Sequence, residues 1–412
     1  MKLKPFNYFI LICICIFSFS LKSQINNINS IKNHVSYLAS DKLKGRGTSS
    51  ADELIAANYL ADNFSKLGLT YFNNSYLKPF LYKKNPNPHD TSITEIKEQK
   101  GYNVVGFLSN KAPYTIVIGA HYDHLGLGHD HNSLDANPDG KIHNGADDNA
   151  SGTAGVLELA NYFSKNKIIE PFNFLFICFS GEELGLIGSK KWCENPDINL
   201  NNINYMINMD MIGRLNDSTK KLMIYGVGTS PSFVPLLDSL KLTFNIKKDS
   251  SGIGPSDQTS FYLKDIPVLH FFTGQHSDYH KPSDDAEKVN YKGEAEVLSY
   301  IVNVIEKTFH YPKLIFSKTR NPDMGKSSFK VTMGVMPDYT FDGLGMRIDG
   351  VTENKPAFKA GLKTGDIVIK IGEFIIKDLQ TYMKALSKYE KGQTTTIEVI
   401  RNEELKVFNL TF

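Results

Sequence analysis

Acidic and histidine residues recur in five short motifs of the 412-residue chain. Four of the motifs follow predicted strands, and the fifth directly precedes a predicted helix. Imidazole and carboxylate groups together suit zinc, or a related divalent ion such as manganese or cobalt. Because the ligand crevice of an open α/β sheet lies at the carboxyl ends of its strands, the motifs predict a metal site there. The candidate residues are His121, Asp123, Asp147, Asp148, Glu182, Glu183, Asp210 and His280.

Each motif alone has a simpler explanation. The pair Glu182 and Glu183 could begin a helix, where the helix dipole favours acids. The acids before Ser151 could cap the helix that follows. All five motifs in one chain favour the metal site instead, because acids that converge beside a cavity need cations to compensate their charge.

Neighbouring candidates are predicted to differ in role. His121 and Asp123 are two residues apart in an extended segment and therefore project to the same side. There the carboxylate can hold the orientation of a metal-bound imidazole. Glu182 and Glu183 are adjacent and cannot point the same way, so one can bind metal while the other acts on a water molecule. His124 is interpreted as an outer or structural residue, and three loop histidines are interpreted as solvated: His129, His131 and His143.

The elements that must position these motifs alternate between strand and helix. Several predicted strands are apolar on both faces, which is typical of a parallel sheet covered by helices on two sides. The predicted fold class is therefore α/β with a mostly parallel central sheet. Polar residues 73–100 are interpreted as a surface excursion. Strands are predicted over 114–119, 172–179, 204–209 and 266–272, and helices over 51–67, 151–165 and 289–309.

The pattern changes near Tyr311 and Pro312. Residues 313–330 contain a proline and a glycine among polar residues and are predicted to form a linker. From residue 331 the chain shows short strands with glycine turns and one clear helix, from Leu379 to Tyr389. We therefore predict a first domain over 24–312 and a smaller β-rich domain over 331–412.

The first residues have the plan of a secretory signal peptide. Lys2 and Lys4 precede an uncharged apolar run from Tyr8 to Phe17, and small residues follow. The apolar run is shorter than the ~20 residues that span a bilayer. We expect a leader over 1–23, export to the periplasm or medium, and no membrane span after its removal.

Composition restricts the function further. The chain has 46 Lys+Arg and 44 Asp+Glu residues, a net charge of +2, which is too balanced for a protein that coats nucleic acid. Two of the four cysteines fall in the predicted leader. Cys178 lies in an apolar run and is predicted to be a buried thiol, and a disulfide with Cys193 is left open.

The motifs also resemble the successive motifs of the family-twenty-eight zinc metallopeptidases, which include bacterial leucyl aminopeptidases, aminopeptidase S and aminopeptidase Y. The segment L-A-S-D-K-L-K-G-R-G, from Leu38 to Gly47, resembles the N-terminal region of that family. The resemblance spans roughly residues 30–310. It implies two zinc ions, with one held by His121 and Asp210, the other held by Glu183 and His280, and Asp147 as the bridge between them.

The same resemblance implies catalytic roles. Glu182 would be the general base and later the general acid, and Asp123 would orient His121. Tyr279 matches a tyrosine that hydrogen-bonds the developing oxyanion in some relatives. Asp257, in P-S-D-Q-T-S-F, belongs to another family-like motif and receives no role.

Residues 331–412 resemble a PDZ domain of the kind attached to exported bacterial proteases. F-D-G-L-G-M-R-I, from Phe341 to Ile348, resembles the carboxylate-binding loop that runs into a strand. The resemblance implies that an extended peptide or a protein C-terminus binds by strand addition. A structural cap on the peptidase is the alternative.

We therefore expect an exported zinc aminopeptidase that removes N-terminal residues from peptides. A glutaminyl cyclase or a dizinc carboxypeptidase on the same fold is the enzymatic alternative. A non-catalytic binding protein that uses its PDZ domain is the alternative from another class, and the presence of all predicted ligands and of Glu182 argues against it.

Overall fold

A computed structural model describes residues 25, 27–83, 98–130, 132–240, 244–319, 331–337, 341, 343–351 and 354–412. The predicted leader, His131 and the 320–330 part of the predicted linker lie outside these ranges. Within them, no helix is both long and apolar enough to cross a membrane.

Eight strands form the sheet of the first domain. In chain order they are β1 (Leu77–Lys83), β2 (Glu98–Leu108), β3 (Thr115–His121), β4 (Asn173–Phe179), β5 (Ile203–Met209), β6 (Lys221–Tyr225), β7 (Asn245–Lys248) and β8 (Val268–Phe272). Their order in the sheet is β1-β2-β4-β3-β5-β8-β6-β7. The central strands β4, β3, β5 and β8 are parallel, whereas β1 and β2 are antiparallel additions at one edge. The mostly parallel α/β sheet predicted from the sequence is confirmed.

Helices cover both faces of this sheet. In β3, Ile116 and Ile118 face one core and Val117 faces the other, because successive side chains of a strand point to opposite faces. The first core is closed by α1 (Ile28–Leu38), α2 (Ala51–Leu67), α3 (Gly152–Lys165), α5 (Phe233–Asp238) and α7 (Tyr291–Thr308). The second is closed by α4 (Ile187–Glu194) and α6 (Gln258–Tyr262).

Capping residues explain the bounds of α2, which the sequence predicted. The side chain of Ser50 accepts a hydrogen bond from the backbone N–H of Glu53 at the start of the helix. Gly68 ends the helix in a left-handed conformation, with φ 78°, which glycine adopts without steric cost.

Two segments differ from the sequence prediction. Residues 73–100 are not only a surface excursion, since they contain β1 and the start of β2. As an edge strand, β1 alternates buried Phe80 and Tyr82 with exposed Leu81 and Lys83, and its polar positions concealed the strand. The first part of the predicted linker is also packed: Leu314 is buried and its backbone N–H donates to Asn204, and Ser317 donates to the carbonyl of Thr229.

The second domain is a small sheet with its own core. Its strands are β9 (Val335–Pro337), β10 (Met346–Val351), β11 (Ile367–Ile371), β12 (Phe374–Ile375), β13 (Thr394–Arg401) and β14 (Glu404–Thr411), and its helices are α8 (Pro356–Ala360) and α9 (Leu379–Leu386). The order β14-β13-β11-β10-β9 places β10 between two neighbours. In the described ranges β9 pairs with Ile348, Gly350 and Val351 of β10, whereas Met346 and Arg347, directly after Phe341–Gly345, pair with β11.

Both described cysteines are free thiols. Cys178 and Cys193 are buried, and burial raises the pKa of Cys193 to about 12. The predicted buried thiol is confirmed for Cys178, and the structure contains no disulfide between the pair.

Candidate metal centre

The predicted ligands converge at one edge of the central sheet. His121 is the last residue of β3, Asp210 follows β5, and Glu182 and Glu183 follow β4. His280 lies eight positions after the end of β8. Because these four strands are parallel neighbours, their carboxyl ends meet at the same edge, as the sequence analysis expected.

His121 and two carboxylates form the first ligand group. The Nε2 atom of His121 lies 3.3 Å from Asp148 Oδ1 and 3.5 Å from Asp210 Oδ1. The Nδ1 atom faces Asp123, at 3.2 Å from its carbonyl oxygen and 3.6 Å from its carboxylate. An Nδ1–H that donates there leaves the Nε2 lone pair directed at the carboxylates, which is the tautomer that a metal ligand requires.

His280 belongs to a second group on the other side of Asp148. Its Nε2 atom lies 3.2 Å from Asp148 Oδ2 and 3.1 Å from Glu183 Oε2. Its Nδ1 atom lies 2.8 Å from the carbonyl oxygen of Asn132. The backbone carbonyl thus fixes the second imidazole as Asp123 fixes the first.

Asp148, and not Asp147, occupies the position between the two groups. One carboxylate oxygen of Asp148 faces His121 and the other faces His280. Asp147 points away: its Oδ1 accepts hydrogen bonds from the backbone N–H of Gly213 at 2.7 Å and from the hydroxyl of Ser151 at 3.1 Å. The structure therefore does not place Asp147, the predicted bridge, between the histidines, since adjacent residues in this turn project in different directions.

Asp284 holds the turn that contains both aspartates. Its Oδ2 atom accepts the backbone N–H groups of Asp147 and Asp148, each at 3.0 Å. Behind the turn, His276 Nε2 lies 3.1 Å from Asp147 Oδ2. The sequence analysis assigned no role to Asp284 or His276, although both flank the His280 motif.

His124 contacts the second group directly. Its Nδ1 atom lies 2.7 Å from Glu183 Oε1 and 3.9 Å from Asp148 Oδ2. Glu183 therefore presents one oxygen to His124 and the other to His280. His124 thus belongs to a candidate ligand group with Asp148 and Glu183, although the sequence analysis interpreted it as an outer or structural residue.

The loop histidines divide. His129 is exposed, as predicted. His143 is buried, so its interpretation as a solvated residue was wrong: its ring lies 2.7 Å from the hydroxyl of Ser133 and 2.9 Å from the carbonyl of Lys141.

The cluster has the electrostatics of a cation site. Burial opposes protonation of His121, yet the charges of Asp210 and Glu182 raise its pKa well above the usual value. Burial likewise opposes ionisation of Glu183, yet the charge of His280 lowers its pKa to about 2. Among the described residues, the buried Nε2 atoms of His121 and His280 have no hydrogen-bond partner. Unpaired imidazole nitrogens beside carboxylates suit a divalent cation. Two groups that share Asp148 bring ligand atoms close enough to hold one: His121, Asp148 and Asp210, and His124, Asp148 and Glu183.

Glu182 stands beside the cluster rather than between its histidines. Burial raises the pKa of its carboxyl group well above the usual value, and the charges of Glu183 and Asp210 add to this effect although His121 opposes it. Its backbone N–H donates to Asp123 Oδ1 at 3.1 Å. A carboxyl group with a raised pKa beside a cation site is suited to general acid–base chemistry.

A small cavity of about 60 Å³, partly open to solvent, adjoins the cluster. Tyr279 lines it and stacks on the imidazole of His280, with ring centroids 3.9 Å apart. Asp257 is buried, and burial raises the pKa of its carboxyl group to about 7. The lining residues include Glu182, Glu183, Asp210, Met211, Tyr225, Phe272 and Tyr279.

An α/β sheet with histidines and carboxylates converging on such a cavity is the architecture of a metal-dependent enzyme. Residues 103–305 match peptidase family M28, and residues 322–412 match the PDZ domain. The chain thus joins a region that matches peptidase family M28 to a region that matches a PDZ domain.

Characterised relatives share part of this chain. Leucine aminopeptidase 2 of Arthroderma otae is 28% identical over 188 residues, which are 42% of this chain and 36% of the relative. The alkaline phosphatase isozyme conversion protein of Escherichia coli is 30% identical over 168 residues, or 40% and 46% of the two chains. Aminopeptidase YwaD of Bacillus subtilis is 26% identical over 207 residues, or 47% and 41%. The matches therefore span less than half the length of these relatives.

Solved structures share the fold. An aminopeptidase from Aneurinibacillus sp. strain AM-1 aligns with a TM-score of 0.53 at 17% identity, covering 72% of this chain and 95% of that one. A zinc aminopeptidase from Bacillus subtilis aligns at 0.53 and 16%, covering 68% and 95%. A glutaminyl cyclase from Porphyromonas gingivalis aligns at 0.54 and 15%, covering 69% and 99%.

Proposed function

We propose that this protein is a zinc-dependent aminopeptidase that hydrolyses the N-terminal peptide bond of peptides. One observation supports this most directly: the two oxygens of Asp148 face His121 and His280, each beside a further carboxylate. Such a site suits two cations that share a bridging ligand. We assign His121 and Asp210 to one zinc ion, Glu183 and His280 to the other, and Asp148 to both.

The residues around this centre divide the chemistry. Two zinc ions, when bound, lower the pKa of a shared water and polarise the scissile carbonyl. Glu182 takes a proton from the attacking water and returns it to the leaving amine. Asp123 holds the orientation of His121 through the Nδ1 side of the ring. Tyr279 lines the cavity beside His280, from where its hydroxyl can donate to the developing oxyanion.

The choice of an N-terminal substrate rests on the relatives, because two of the three relatives above are named aminopeptidases.

Glutaminyl cyclisation is the second candidate, because the Porphyromonas gingivalis cyclase has the same fold. A peptide that begins with glutamine distinguishes the two reactions. Release of free glutamine supports the aminopeptidase, whereas loss of ammonia with retention of all residues supports the cyclase.

We also propose that the protein is exported and that its PDZ domain binds extended peptides or protein C-termini. The apolar leader supports export. For the PDZ domain, β9 is the end strand of the sheet, and backbone groups at a sheet edge can pair with an added strand.

The decisive experiment compares peptides with free and blocked N-termini, measures the zinc content, and tests variants of Glu182 and Glu183. We expect cleavage of free-amine peptides, no cleavage of their N-acetylated forms, and two zinc ions per folded chain. Glu182→Gln should retain the metals and lower turnover by ~100-fold or more, as for loss of a general base. Glu183→Gln, the matched control, should weaken metal binding, and exchanged phenotypes would reverse the assignment within the pair.

A further inference from the structure

A segment outside the matched M28 region reaches the metal centre. Residues 45–47 lie alongside residues 124–126: Gly126 donates its backbone N–H to Gly45, and His124 donates to Arg46. The family match begins only at residue 103. The L-K-G-R-G motif and Thr48, which follows it, therefore add contacts to the loop after β3 that the matched region does not supply.

Arg46 fixes the backbone of this segment. Its guanidinium is fully buried and donates to the carbonyls of Tyr122 at 2.7 Å, Asn144 at 2.7 Å and Gly145 at 3.1 Å, and also to that of Leu38. One side chain thus joins the loop after His121 to the turn that precedes Asp148. With Arg46 held at four carbonyls, Thr48 has a defined place beside the active site.

Thr48 contacts the carboxylate that orients His121. Its hydroxyl donates to Asp123 Oδ2 at 2.7 Å. The other oxygen, Oδ1, accepts the backbone N–H of Glu182 at 3.1 Å and lies 3.6 Å from His121 Nδ1. Asp123 is fully buried, and Thr48 is the donor that the described part of the chain brings to its Oδ2. Loss of the hydroxyl would leave a buried anionic oxygen without that hydrogen bond, which is costly.

We propose that Thr48 is a positioning residue for catalysis. Its hydroxyl fixes the rotation of the Asp123 carboxylate, and that carboxylate sets the imidazole of His121 and the backbone of Glu182 at the same time. A rotation of the Asp123 carboxylate would therefore change the position of His121, a metal ligand, relative to Glu182, the general base. This inference rests on the proposed function for the roles of His121 and Glu182.

The threonine side chain allows a matched pair of variants. Its methyl Cγ2 lies beside Gly181, where an added Cβ would come within 3.3 Å of it. Thr48→Val keeps the shape and removes the hydroxyl, whereas Thr48→Ser keeps the hydroxyl and removes the methyl. Thr48 is only half-buried, so both variants of the full chain should fold.

The test measures turnover and zinc affinity on both variants. With a short amino-acid anilide, Thr48→Val should lower kcat about tenfold and leave KM within twofold. In a chelator competition it should weaken zinc binding at the site of His121 and Asp210 about tenfold, which is the effect expected when a residue that orients a metal ligand is lost. Thr48→Ser should remain within about threefold of the parent in both readouts.

Three outcomes would overturn the inference. One is a Thr48→Val protein with kcat and zinc affinity within twofold of the parent. Another is an equal loss in Thr48→Ser, which would assign the effect to packing at Gly181. The third is a lowered unfolding temperature that accounts for the loss. A parent that binds zinc but cleaves no free-amine peptide refutes the proposed aminopeptidase instead, and the zinc affinities then still test Thr48.

Discussion

In the PDZ domain the buried carboxylate of Asp366 is neutralised inside the chain. Arg401 donates to its two oxygens at 2.6 and 2.7 Å, and the backbone N–H of Lys363 adds a third bond. In the peptidase domain Asp148 and Glu183 are instead shared among histidines whose Nε2 atoms have no hydrogen-bond partner in the described ranges. The charge of Asp366 is thus balanced by a residue of the protein itself. The carboxylates of the candidate metal centre face imidazole nitrogens that are available to bind a cation.

The two sheets differ in the same sense. Strands β3, β4 and β5 of the peptidase domain are buried along their whole length, whereas β13 and β14 of the PDZ domain bury only Ile397, Val399 and Leu410. A doubly covered sheet can hold polar groups rigidly at its edge, away from bulk water. A small sheet whose end strands have unpaired backbone groups is suited to pairing with an added strand. The comparison predicts that metal removal, low pH and substitutions at the site change the activity and stability of the peptidase domain and leave the PDZ domain unaffected.

The largest expected effect distinguishes the two adjacent aspartates. Asp148→Asn removes the carboxylate between His121 and His280, so we expect loss of zinc and at least about a 1,000-fold loss of kcat/KM, since the two proposed zinc ions would share this carboxylate. Asp147→Asn is the matched control, because an amide oxygen can still accept the N–H of Gly213; its loss should stay within about tenfold. Zinc analysis and anilide kinetics on both proteins decide this, and the opposite ranking would restore Asp147 as the bridge.

Removal of metal should lower the stability of one domain only. A ligand held at about 1,000 times its Kd stabilises the folded state by about 4 kcal/mol, so chelation should lower the peptidase transition by roughly 10 °C. The PDZ transition should not move, because its buried carboxylate is paired with Arg401. Differential scanning calorimetry of zinc-loaded and chelated protein measures both, and equal shifts in both transitions would show that the domains unfold as one unit.

Mild acid should have a similar, smaller effect. Burial lowers the pKa of His270 to about 4, so between pH 6.5 and pH 4 the unfolded chain binds a proton that the folded chain refuses. The contribution of His270 to stability is therefore full above pH 6.5 and falls as the pH drops, by on the order of 2 kcal/mol at pH 5. Residues 331–412 contain no histidine. Urea unfolding of zinc-loaded protein at pH 7 and pH 5 should thus weaken the peptidase domain alone, and a pH-independent midpoint would contradict this assignment.

The smallest effect concerns removal of the PDZ domain. A chain that ends at Thr319 keeps the packed segment with Leu314 and should cleave a short anilide within several-fold of the full-length rate. Long peptides with a free C-terminus should lose more, because the PDZ domain no longer raises their local concentration. A chain that ends at Tyr311 lacks Leu314 and should melt at a lower temperature. If the Thr319 chain binds zinc and folds but cleaves no anilide, the PDZ domain is part of the active site.

The amino-acid sequence predicted most of the elements that position the site. Helix α2 was predicted with its bounds, because Ser50 and Gly68 are local signals at its two ends. The strands that lead to His121, Glu183 and Asp210 were predicted because they are apolar on both faces. The edge strand β1 and the packed residues 313–319 were missed, because their burial depends on partners distant in the sequence.

The sequence by itself determined which kinds of ligand are present, their order along the chain, and that strand ends bring them to one edge. Only the tertiary structure decided which aspartate of the pair faces the histidines. Gly213 and Asp284 are 66 and 137 positions away from Asp147, and their hydrogen bonds turn Asp147 inward and leave Asp148 between the imidazoles. The contact of Thr48 with Asp123 spans 75 positions for the same reason. Local sequence sets the chemistry of a side chain, whereas its direction in an irregular turn is set by the distant groups that satisfy its neighbours.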